Sequence, residues 1–132
     1  MISTFLLGLA LQGSLDQRYR AHNCAEPVTQ ADMNACNAID FERADGELNA
    51  VWPGLIAQAR RQDAELDRRY DRRPGYEQVL REAQRSWIAF RDSHCTWVGY
   101  EEARGGSMEP MSFNGCRAQL TRDRISQLRP SE

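Results

Sequence analysis

No segment of this sequence stays apolar long enough to cross a bilayer, and no two cysteines stand in a CxxC pair. Lysine is missing altogether: all 17 basic side chains are arginines, set against 19 acidic ones for a formal net charge of -2. Each lack narrows the field. Without an apolar stretch of about 20 residues there is no transmembrane helix. Without CxxC there is neither a thioredoxin-like redox motif nor the usual tight zinc-ligand turn. Without an excess of positive charge there is no electrostatic footprint for nucleic acid or an anionic membrane. Nor is there a run of alternating apolar and polar residues of the kind a half-buried strand needs.

What is present reads as one globular domain. The 132 residues are 41% hydrophobic and 27% charged, too apolar and too evenly charged for a disordered chain. Ile2 to Leu11 is a short apolar run that resembles the h-region of a signal peptide, although no positive residue precedes it. Residues 1–14 are therefore expected to be a signal peptide or N-terminal apolar segment, and 15–132 a single domain, periplasmic or secreted. No cysteine follows the run in a lipobox-like setting, so no lipid anchor is expected.

Leu15 to Val28 show no period and read as an irregular arm. Thr29 opens the first helix as an N-cap, with Asp32 three residues on. Met33, Cys36, Phe41, Ala44, Leu48, Val51, Leu55, Ala59 and Leu66 then recur at helical spacing. Pro53 should kink or break that helix, and Pro74-Gly75 should close it. A second helix begins near Tyr76, with Tyr76, Leu80, Ala83, Trp87, Phe90 and His94 as its inward stripe, and fades at Gly105-Gly106. Gly105 to Gly115 reads as a loop and Cys116 to Leu128 as the last helix. The expected architecture is all-α: a small antiparallel bundle of three helices, the first one kinked, stapled by two disulfides.

Cys24, Cys36, Cys95 and Cys116 allow three pairings. Nearest-neighbour pairing suits the helix layout best: Cys24–Cys36 would pin the arm, and Cys95–Cys116 would clamp the Gly-rich loop. Zinc is the rival, since His22 and His94 lie near or beside cysteines, but the ligand spacing is wrong. No metal or cofactor is expected.

Certain blocks have a familiar order. Thr29-Gln30, Met33-Asn34-Ala35-Cys36 and Ala44-Asp45-Gly46-Glu47-Leu48-Asn49 come first. Ala83 to Asp92 with Cys95 follow, and then Gly105-Gly106-Ser107, Cys116, Thr121 and Arg124. Together these resemble the LprI-like lysozyme-inhibitor domain family over about residues 24 to 128. The resemblance implies an exported, mostly helical domain with paired cysteines and a protein partner such as lysozyme. Thr29, Asn34, Asp45, Asn49, Trp87, Phe90, Arg91, Asp92, Thr121 and Arg124 are its signature positions here.

No residue set makes a believable catalytic site, so the chain is read as a binding protein and not an enzyme. Adjacent helical Glu101 and Glu102 point about 100° apart and make a poor glycosidase pair. Trp87 and Phe90 are expected in the core, with Arg91 and Asp92 bonding to neighbouring helices. Asn34, Asp45 and Asn49 should make interhelical hydrogen bonds. The Arg68, Arg69, Arg72, Arg73 cluster reads as a solvated helix end. The candidate partner-binding loop is Ser107, Met108, Glu109, Met111 and Phe113, which would enter or cover a muramidase cleft. The alternative is a periplasmic structural or interaction protein with a different partner.

Overall fold

The computed structural model describes residues 13–129; the apolar run read as a signal peptide lies in residues 1–12, outside the described part. The described residues are helical and hold no strand. We label the helix over residues 13–21 α1, and the following helices α2 (Gln30–Ala64), α3 (Tyr76–Ala103) and α4 (Glu109–Leu128).

α1 replaces much of the arm expected to be irregular. It runs antiparallel to α2, held by Arg18–Glu42 at 2.7 Å, Asp16–Arg43 at 2.9 Å and the Cys24–Cys36 bond. The structure thus has one helix more than expected. Its apolar content is too low to show a stripe, and long-range ion pairs rather than periodicity hold it in place.

Thr29 caps α2, its hydroxyl accepting the Asp32 amide at 3.1 Å. The break expected at Pro53 does not occur: α2 continues through it to Ala64. Pro53 lies on the exposed side, while Leu48, Ile56 and Ala59 are buried on either side of it in sequence. Burial along one face can offset the single backbone hydrogen bond that proline forfeits. The chain leaves the helix at Ala64, and residues 65–75 form the link to α3.

α3 runs antiparallel to α2, and α4 antiparallel to α3. α4 packs along both of the others, whereas α2 and α3 meet over a shorter stretch. Ile39, Ala44, Leu48, Cys95, Ala118, Thr121 and Ile125 meet at the centre. The buried face of α3 is Gln84, Arg91, Cys95 and Gly99. This corrects the stripe read from sequence. Tyr76, Ala83 and Phe90 face solvent, Phe90 being 56% exposed, and Trp87 is only half-buried. Close approach to α4 is part of the reason: a Cβ on Gly99 would lie 3.4 Å from Glu109 Cγ, so the C-terminal half of α3 turns the small residues Cys95 and Gly99 inward.

The last helix also starts earlier than expected. Glu109 to Gly115 belong to α4, so the Gly-rich loop shrinks to residues 104–108. Pro110 sits in the first turn, where its missing N–H costs nothing.

Candidate functional site

Two structures stand out: a ladder of arginines and aromatic rings inside the bundle, and a braced corner between α3 and α4. In the ladder the Arg117 guanidinium lies 3.7 Å from the Phe41 ring centroid and 4.3 Å from that of Phe113. Arg91 lies 5.0 Å from Phe41 and 5.1 Å from Trp87. Arg124 reaches the Trp87 ring at 5.8 Å. Cations over ring faces are attracted by the ring quadrupole, most strongly where water is excluded.

Arg91 is only 6% exposed. Its Nε donates to Asp92 at 2.9 Å, and one Nη donates to the Thr121 hydroxyl at 3.4 Å and lies 3.8 Å from Asp45. Arg124 donates to Gln84 at 3.0 Å. Burial pushes the Arg117 and Arg124 guanidinium groups down from the usual arginine range. Arg117 Nε is buried without a hydrogen-bond partner, and the two aromatic faces are its main neighbours.

So the structure brings Asp45, Trp87, Arg91, Asp92, Thr121 and Arg124 into one cluster. Asn49 stands at its edge, donating to Asp45 at 3.5 Å beside a groove of about 230 Å³ between α2 and α3. Phe41, Phe113 and Arg117 complete the cluster, and sequence reasoning missed their part in it. The available signal was the spacing of Phe113 and Arg117, which stacks them on one helix face.

The corner is fixed from three sides. Cys95–Cys116 joins the helices beneath it, with Cα atoms 5.5 Å apart. Asn34 Nδ2 donates to the Ser107 carbonyl at 2.8 Å, tying the corner to α2. Glu109 accepts the Gly105 amide at 2.6 Å. Gly105 has φ +77°, the left-handed region that glycine enters without strain. Met108 is 46% exposed.

The five residues expected to form one loop are therefore divided. Ser107 and Met108 lie in the corner; Glu109, Met111 and Phe113 lie in α4, half-buried. Met111 accepts from Gln30 at 3.7 Å, and Phe113 lies under Arg117.

The sequence profile described as lysozyme inhibitor LprI matches residues 16–128. The chain belongs to the LprI family. An uncharacterized protein of Rhizobium meliloti (strain 1021) is 42% identical over 107 residues, covering 81% of this chain and 76% of that relative. No solved structure matches. The family is named for lysozyme inhibition, a protein-binding role. All four cysteines of this LprI member are paired, Cys24 with Cys36 and Cys95 with Cys116. Among the described residues no helix is long and apolar enough to cross a membrane.

Proposed function

We propose that this LprI-family chain is an exported protein of the cell envelope that inhibits a lysozyme-type muramidase by occluding its cleft. Residues 1–14 would direct export, and the rest would act in the periplasm or outside the cell. The observation that carries the reading is the corner at residues 104–108: a short turn, fixed by Asn34, Glu109 and Cys95–Cys116, with Met108 exposed on it.

A projection that is already ordered loses little entropy on entering a cleft. Met108 would supply the apolar anchor, and Ser107 would contact the rim. Glu101 and Glu102, exposed near the end of α3, would attract a basic enzyme. Glu109, Met111 and Phe113 support the corner from within instead of touching the partner.

The test is clearance of a bacterial cell-wall suspension by lysozyme, with and without the purified protein. Slower clearance is expected, and Met108→Asp should weaken the inhibition at least tenfold while leaving the fold intact. Unchanged clearance at a large molar excess of wild-type protein would overturn the proposal for that enzyme.

A further inference from the structure

We infer that the outward face of α3 is a homodimer interface, in which two copies pair antiparallel about Ser93. The helix and its C-cap residue Arg104 carry a seam of exposed side chains at Glu82, Ser86, Ala89, Ser93, Trp97, Tyr100 and Arg104. Steps of three and four keep these positions on one side of a helix. The steps run four, three, four up to Ser93 and four, three, four beyond it, so the seam reads the same from either end. An antiparallel partner related by a two-fold axis at Ser93 then meets it in register.

The side chains are complementary in that register. Glu82 faces Arg104 of the second copy, an acid against a base. Ser86 faces Tyr100 of the second copy, and Ala89 faces Trp97. Small residues lie on one half of the seam and large aromatic ones on the other, so each aromatic meets a small residue. Ser93 meets its own counterpart at the crossing point, where small side chains let helices approach. No seam side chain between Glu82 and Arg104 is charged, in a chain that is 27% charged overall. Depleted charge and enriched aromatics mark the centre of a protein interface, with a charged rim around it.

The exposure is large. Trp97 is 56% exposed and Tyr100 43%, and Phe90 borders the seam, stacked on His94 at 5.2 Å between centroids. Arg104 lies over its own Tyr100 ring at 4.4 Å, beside the place where the partner's carboxylate would arrive. A membrane surface is disfavoured as the occupant. A helix lying on lipid buries a face of large apolar side chains, whereas this seam is serine and alanine over half its length and charged at both ends. The inference does not depend on muramidase inhibition.

Sedimentation equilibrium on the full chain tests it, with far-ultraviolet circular dichroism confirming helicity. The wild type should be a reversible dimer. Ala89→Arg, which sets a bulky cation against Trp97 of the partner, should be monomeric and fully helical. Glu82→Arg and Arg104→Glu should each raise the dimer dissociation constant by roughly tenfold, since each puts like charges together at two symmetric places. The double swap should return it to near the wild-type value.

A wild type that stays monomeric at all accessible concentrations would overturn the inference. So would a dimer that Ala89→Arg leaves unchanged, or single swaps that the double swap does not rescue. A monomer that loses lysozyme binding on Ala89→Arg would assign the face to the enzyme instead.

Discussion

Asp63, in the last turn of α2, closes the start of α3 by accepting the Tyr76 amide at 2.6 Å and the Glu77 amide at 3.1 Å. Gly75, the residue before the helix, has no side chain to do this itself. The cap is therefore supplied across the 65–75 link, and it fixes the angle between the two helices. Asp63→Ala should lower stability by about 1 kcal/mol, the usual worth of an N-cap. Gly75→Ala should also destabilise, because its Cβ would lie 2.5 Å from Asp63 Oδ1. The two losses should be less than additive in urea unfolding, since both remove the same cap. Full additivity would show that Gly75 serves some other purpose.

Arg91 is the most buried charge described, and its partners are partly wet: Asp45 is 42% exposed and Asp92 46% by side chain. Those carboxylates can be rehydrated if Arg91 is removed, which places the cost below that of a fully buried pair. Arg91→Ala should cost about 2–3 kcal/mol in denaturant unfolding. Arg91→Lys should recover less than half of that. An ammonium cannot lie flat between Phe41 and Trp87 while bonding both Asp92 and Thr121. A lysine variant as stable as the wild type would show that charge alone matters at this position.

The two disulfides should differ in accessibility. Cys95 is fully buried, whereas Cys24 and Cys36 are both half-buried. Graded reduction followed by alkylation and mass mapping should open Cys24–Cys36 first, and unreduced protein should take up no label. Replacing Cys95 and Cys116 together by alanine should cost about 3 kcal/mol by the chain-entropy estimate for a loop of this length. It should also loosen the 104–108 corner, seen as faster amide exchange at Gly105 and Gly106.

Acid should weaken the link between α2 and α3. Arg73 lowers the Asp71 carboxyl from its ordinary 3.8 to about 2, chiefly by a side-chain hydrogen bond. Asp67 is lowered by Arg69 in the same way, and Glu77 by Arg60 and Arg81. A carboxyl depressed by folding stabilises fully above its unfolded value. That contribution is lost as pH falls through the folded value. Thermal unfolding of the wild type and Asp71→Asn should therefore differ by a constant amount above about pH 5. The gap should close between pH 3.8 and about 2. A gap that persists at pH 2 would mean that the carboxylate charge is not what holds the link.

Much of the fold was legible along the chain. Thr29 and Asp32 marked the start of α2 and an even set of cysteines fitted two local bonds, whereas Pro74-Gly75, expected to close α2, lies ten residues beyond its end at Ala64. These are short-range signals, set by backbone chemistry within a few residues. The boundaries that failed depended on more distant partners. Gly105 to Gly115 looked like a loop because of its three glycines and Pro110, yet the packing of Met111 against Gln30 of α2 and of Phe113 under Arg117 keeps Glu109 to Gly115 helical.

The candidate site was legible only in pieces. Asn34 was picked out, but nothing near it in sequence pointed to the Ser107 carbonyl it holds. Arg91 and Asp92 were picked out, but Phe41 was read only as part of the apolar stripe of α2 and Arg117 was not singled out, although both share rings or charges with them.

By itself the sequence pointed to a helical chain with an even set of cysteines, and it held the blocks that mark the LprI family. Only the tertiary structure decided which side of α3 turns inward. Periodicity finds an apolar stripe on a helix but does not say what that stripe will meet. Here the small residues Cys95 and Gly99 let α4 come close, and Arg91 finds rings and carboxylates from two other helices. The aromatic stripe of Phe90 and Trp97 is left facing out because packing rewards close approach and satisfied charge together, and no local pattern records that sum.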